Sequence, residues 1–139
     1  MTDIQRAITL LEGNSCAMVR GQSSITSKEK GIAPVLNLVK EGFDLSEFSI
    51  ADKIVGRAVA FLYIKAGVKE VYGETMAVGA DKLLQQHGIP HTYKTLAEQI
   101  INHAGDGICP MEEAVLNIVD PEEAFIAINR KAKNMRKAN

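Results

Sequence analysis

The chain has 139 residues, 46% hydrophobic and 24% charged, with a formal net charge of -1. That length suits one domain, residues 1–139, able to bury a sizeable core, and the balanced charge gives no pull toward nucleic acid or anionic lipid. No apolar run approaches the roughly 20 residues of a membrane span, and with no Trp and only 5% aromatics a base-stacking surface is not expected.

Ile4, Ala7, Ile8 and Leu11 stand at helical spacing, and Gly13-Asn14 ends that helix. Residues 15–20 read as a strand, Gly21-Gln22 as a turn, and residues 24–27 as the returning strand of a hairpin. A second helix covers 32–40, with Pro34 tolerated in its first turn and Gly42 closing it. Residues 43–48 form a connector with apolar anchors. The chain then centres on residues 51–66, predicted as one helix capped by Ser49 and, beyond Arg57, apolar on every face. Gly67 stops it. A strand follows over 68–76, a helix over 78–87 ended by Gly88, and the start of a short strand over 90–93. Residues 96–102 fit helix and strand equally well. Gly105-Asp106-Gly107 reads as a loop, Cys109 and Pro110 start another helix, and Pro121-Glu122-Glu123 opens the last, with Ala124, Phe125, Ile128 and Ala132 on one face. Strands alternating with helices predict an α/β sheet covered by helices.

Two constellations carry chemistry. Ser49-Ile50-Ala51-Asp52 has capping-box spacing with Asp in place of Glu, so Asp52 either satisfies a backbone donor or faces a ligand. On a helix, Lys53 and Arg57 are four apart and share a face, presenting two positive charges to a phosphate or carboxylate at a helix N-terminus. The second constellation is Gly105-Asp106-Gly107-Ile108-Cys109-Pro110-Met111-Glu112. Cys109 falls at an N-cap, Pro110 at the first helical position, and Glu112 where a capping box wants an acid. A helix N-terminus favours the Cys109 thiolate, the alternative being a small buried hydrophobe. Backbone donors near Gly79 add to an anion site. His87 suits a helix C-terminus, while His91 and His103 lie in loops or at element edges. No H-x-E or paired-cysteine spacing exists, so no metal and no cofactor is expected. Cys16 and Cys109 form no CxxC, and with nothing resembling a signal peptide they read as reduced thiols in a cytoplasm. The basic end, Arg130 to Lys137, reads as a solvated helix terminus.

Through Ala51-Asp52-Lys53-Ile54-Val55-Gly56-Arg57-Ala58 and the segment from Gly105 to Glu112, the chain resembles a bacterial family of short uncharacterised proteins with a cytidine deaminase-like fold. Gly31-Ile32-Ala33-Pro34 and Tyr72-Gly73-Glu74-Thr75 support the resemblance, which covers nearly the whole chain. It implies a three-layer α/β/α sandwich with a mixed sheet, and it adds Glu74 to the candidate ligand residues. Zinc deaminases carry H-x-E and P-C-x-x-C at two helix starts. Here those positions fall near Asp52-Lys53-Ile54 and near residues 76–81, without the histidine, glutamate or cysteines, so zinc-dependent deamination is not expected.

Three functions remain. The first is a binding protein for a nucleotide-like or other anionic small molecule, using Asp52, Lys53, Arg57, Glu74, Gly79, Cys109 and Glu112. The second is a metal-independent enzyme with Asp52 as acid or base, or Cys109 as nucleophile. The third is an interaction subunit acting as a homodimer. Neither a membrane nor a nucleic acid is an expected partner.

Overall fold

Short apolar runs punctuated by glycines build the sheet. The computed structural model describes residues 1–101, 105 and 107–137. Strand β1 (Cys16–Arg20) and strand β2 (Ser23–Ser27) form an antiparallel hairpin with Met18 opposite Ile25. On its other edge β1 pairs antiparallel with strand β3 (Ser49–Val55), with Cys16 opposite Asp52 and Ala17 opposite Ala51. Strands β4 (Glu70–Ala77) and β5 (His91–Ala97) then run parallel to β3. The result is a mixed five-stranded sheet in the order β2-β1-β3-β4-β5.

Both faces of the sheet are covered. Helix α1 (Asp3–Leu10) packs Ala7, with Leu11 just beyond it, on Val19 and Ala51 of one face. A Thr2–Gln5 capping box starts this helix. The opposite face, carrying Met18, Ile50 and Val71, lies under α2 (Ala33–Lys40), α3 (Arg57–Ala66) and α4 (Val78–Gln86). Helix α5 (Pro110–Ala114) and helix α6 (Pro121–Lys137) lie against α3, with Ala124 and Ile128 of α6 buried. Sandwiched in this way, α3 buries every residue from Ala58 to Tyr63. Phe61, Leu62 and Tyr63 are fully buried, and complete burial of an apolar side chain of this size contributes roughly 1.5–3 kcal/mol. Gly67 ends α3 with φ 69, a left-handed conformation that glycine adopts without a Cβ penalty. Among the described residues no helix is long and apolar enough to cross a membrane.

The expected helix over 51–66 holds only in its second half. Ser49–Val55 is the central strand, hydrogen-bonded on both edges, and the helix begins after Gly56. A short apolar run flanked on both sides by strands has no need of alternation, so its pattern fits either state. Ser49 is therefore not a helix cap. Its hydroxyl donates to Glu70 Oε2 at 2.9 Å. Lys53 and Ile54 are both exposed, as Glu74 and Thr75 are both half-buried beside them. This shared break in alternation lets Val55 and Met76 turn into the core where the strands run into α3 and α4. The undecided stretch after Tyr93 extends β5 to Ala97, and Ile101 makes an isolated antiparallel bridge with Ile108. His103 and Asp106, singled out in the sequence, lie outside the described residues.

Candidate functional site

Helix α3 opens without a side-chain cap. Gly56 occupies the N-cap in an extended conformation, leaving the first N–H groups in need of acceptors from elsewhere. They find one far along the chain. Glu112 of α5 accepts from Arg57 N through Oε1 at 2.6 Å and from Ala58 N through Oε2 at 2.7 Å. Gly56 makes room for it, since a Cβ there would sit 2.5 Å from Glu112 Cδ. The Arg57 side chain returns the contact. Its Nε donates to Val115 O at 3.3 Å, Nη2 donates to Ile118 O, and the guanidinium lies 5.0 Å from the centre of the Phe61 ring. A carboxylate thus meets the positive end of α3, while a cation meets the carbonyls that follow α5.

This contact gathers three of the predicted residues. Arg57 and Glu112 touch, and Gly79, second in α4, is close enough that a Cβ on it would lie 3.9 Å from Arg57 Cδ. Cys109 is the α5 N-cap and Pro110 its first residue, as the sequence indicates, but the Cys109 side chain makes no capping bond. Its N–H donates to Ile100 O at 2.8 Å, and the Glu112 carboxylate is spent on α3 instead of closing a local capping box.

Asp52 belongs to a second cluster. From β3 its Oδ2 accepts from Tyr63 Oη of α3 at 2.6 Å, and its Oδ1 accepts from Ile54 N at 3.3 Å. The Cys16 thiol lies 3.8 Å from the same Tyr63 hydroxyl. Burial pushes the Asp52 carboxyl up to about 6, against the downward pull of the Tyr63 hydrogen bond and the backbone donors. Burial, then the Asp52 charge, also raises Tyr63 and Cys16, so Cys16 stays a protonated thiol. Neither Tyr63 nor Cys16 stands out in the sequence as a partner of Asp52. The available signal is a tyrosine inside an otherwise apolar helix, because a buried hydroxyl needs a partner.

Lys53 and Glu74 form a third place. The step from Asp52 to Lys53 changes sheet face, so Lys53 does not share a helix face with Arg57. Lys53 and Glu74 line a cavity of about 290 Å³ with Tyr72, Lys94 and the end of α1. Among the described residues no hydrogen bond joins Asp52 to Cys109 or Glu112, and no three His, Cys, Asp or Glu side chains group as metal ligands. His91 contacts Asp81 Oδ1 at 2.7 Å and Ile89 O at 2.8 Å, tying α4 to β5, and His87 is the α4 C-cap.

Fold and site together define a mixed α/β domain whose central helix is capped by a distant carboxylate. The chain belongs to the family described as a domain of unknown function, DUF1893, which it matches over residues 6–132. It is similar to the crystal structure of a DUF1893 family protein from Thermotoga maritima, at 29% sequence identity and a TM-score of 0.86, over 94% of this chain and 91% of that one. No curated protein matches the chain.

Proposed function

We propose that this single domain binds a small anionic molecule, nucleotide-like or otherwise, and that the opening of α3 recognises its phosphate or carboxylate. One observation carries the reading: the Arg57 and Ala58 N–H groups already converge on a carboxylate, with Gly56 clearing its path. Two such donors backed by a helix dipole hold a ligand anion as they hold Glu112. The ligand takes the place of Glu112, and Arg57 and Gly79 stand beside it. A cytidine deaminase-like sandwich is supported by α3 and α4 opening after adjacent parallel strands, where that resemblance puts a metal site. The residues there do not fit zinc. With α3 beginning at Arg57, the openings carry Gly56-Arg57-Ala58 and Val78-Gly79-Ala80, with none of the soft ligands that the metal needs. Two free cysteines support a cytoplasmic setting.

A second reading rests on the Asp52–Tyr63 hydrogen bond. A carboxyl held at about 6 is suited to exchange protons near neutral pH, so Asp52 is the acid or base if the domain catalyses a metal-independent reaction.

A thermal-shift screen of nucleotides, nucleosides and sugar phosphates tests the binding reading on the parent, Arg57→Gln and Lys53→Gln proteins. A phosphate-bearing compound should raise the melting temperature of the parent and of Lys53→Gln, whose changed side chain lies on the other sheet face. Arg57→Gln should lose about 1.5–3 kcal/mol of binding, a tenfold or greater drop in affinity, as expected for a charge-assisted contact. Ligands indifferent to Arg57→Gln, or no ligand at all, would count against the site.

A further inference from the structure

We infer that the cavity at the end of α1 is a second ligand site, separate from the opening of α3, and that it takes an acidic amino acid. Helix α1 packs on Val19, Ala51 and Tyr72 and then stops, and Gly13 at φ 79 turns the chain back toward β1. The step between the helix end and the strands beyond it is the cavity of about 290 Å³. Ile8, Leu11 and Tyr72 give this cavity an apolar wall. Its floor is a row of charges. Gly73 pairs with Asp52 and Tyr93, and Thr75 with Ile54 and Thr95, so Lys53, Glu74 and Lys94 stand level on three neighbouring strands. Strand spacing sets each of them about 4.8 Å from the next.

The row does not satisfy itself. Among the described residues, the side chains of Lys53, Glu74 and Lys94 make no ion pair and no hydrogen bond. The Tyr72 hydroxyl and the Glu12 carboxylate on the same cavity make none either. Polar groups that converge without partners beside an apolar wall are what a ligand pocket offers. The order of the charges selects the ligand. Positive, negative, positive is complemented by carboxylate, ammonium, carboxylate, which is the order of charges along aspartate and glutamate. The ammonium meets Glu74, the carboxylates meet Lys53 and Lys94, and the carbon chain lies along Ile8 and Leu11. A phosphate or a plain dicarboxylate would bring negative charge against Glu74, which separates this site from the anion site at α3. A volume at the lower end for ligand pockets suits an amino acid and not a nucleotide.

NMR titrations of L-glutamate, L-aspartate and glutarate test this on the parent, Glu74→Gln, Lys53→Gln and Lys94→Gln proteins. In the parent, the amides of Lys53, Glu74 and Lys94 should shift and saturate with either amino acid while those of Arg57 and Ala58 stay in place. That readout needs no variant. Glutarate, which lacks the ammonium, should bind at least tenfold more weakly than L-glutamate. Glu74→Gln should abolish this preference, weakening L-glutamate and admitting glutarate. Lys53→Gln and Lys94→Gln should each weaken L-glutamate about tenfold. Glutarate binding the parent as tightly as L-glutamate, or a preference unchanged in Glu74→Gln, would overturn the proposal. So would shifts centred on Arg57 and Ala58, or a parent that responds to neither amino acid.

Discussion

Gly56→Ala should destabilise the protein about as much as Glu112→Ala, and combining the two should cost no more than either alone. The new methyl would fall 2.5 Å from Glu112 Cδ, so the carboxylate must move. Elsewhere a flexible glutamate would swing aside at little cost. Here it is pinned by two short hydrogen bonds from Arg57 N and Ala58 N, and moving it leaves both donors without their acceptor. Losing charge-assisted bonds in a partly buried place costs about 1.5–3 kcal/mol. Glu112→Ala removes the same bonds directly. In the double variant the methyl has no carboxylate to displace, so the two effects are not additive. Denaturant titration of the four proteins measures this. Simple additivity would show that the glycine matters for some reason other than room for Glu112.

The second large effect is on pH dependence. Asp52 begins near 3.8 in the unfolded chain and sits at about 6 in the folded one, chiefly because burial disfavours its charge. Between these values the folded protein holds a proton that the unfolded chain has released. Its stabilising contribution is complete below pH 4 and falls away as pH rises to about 6. A rise of this size corresponds to at most about 3 kcal/mol, less whatever remaining contact with water relieves. Asp52→Asn has no such titration. Melting temperatures from pH 3.5 to pH 7.5 should show the variant gaining on the parent through this window and keeping its gain above it. Parallel profiles would mean that Asp52 ionises as freely in the folded protein as in the unfolded chain.

Local signals explain which parts of the fold were legible. The hairpin, α1, α2, α4 and α6 each carry a glycine or proline boundary and a spacing that can be read within one element. Ser49–Val55 misled because Ser-x-x-Asp imitates a helix start, whereas strand pairing on both edges decides its state. The full length of β5 was hidden because exposure on both faces leaves no alternation to read. The same locality limits the site. A helix opening that attracts an anion, and Glu112 within a constellation of interest, are both visible in the sequence. Their contact spans 55 positions and depends on how α5 folds back on α3. Asp52 and Lys53 parted because successive strand residues face opposite sides, while on the expected helix both would have served one opening.

The most direct test of an anion site at α3 is to vacate it and offer an anion. In Glu112→Ala, the amide resonances of Arg57 and Ala58 should shift together and saturate as inorganic phosphate is added, with the melting temperature rising in step. The parent should need far more phosphate for the same response, because its tethered carboxylate competes at an effective concentration in the millimolar range. Amides in Glu112→Ala that ignore phosphate would contradict the account and leave Glu112 as a fastener of α5 onto α3.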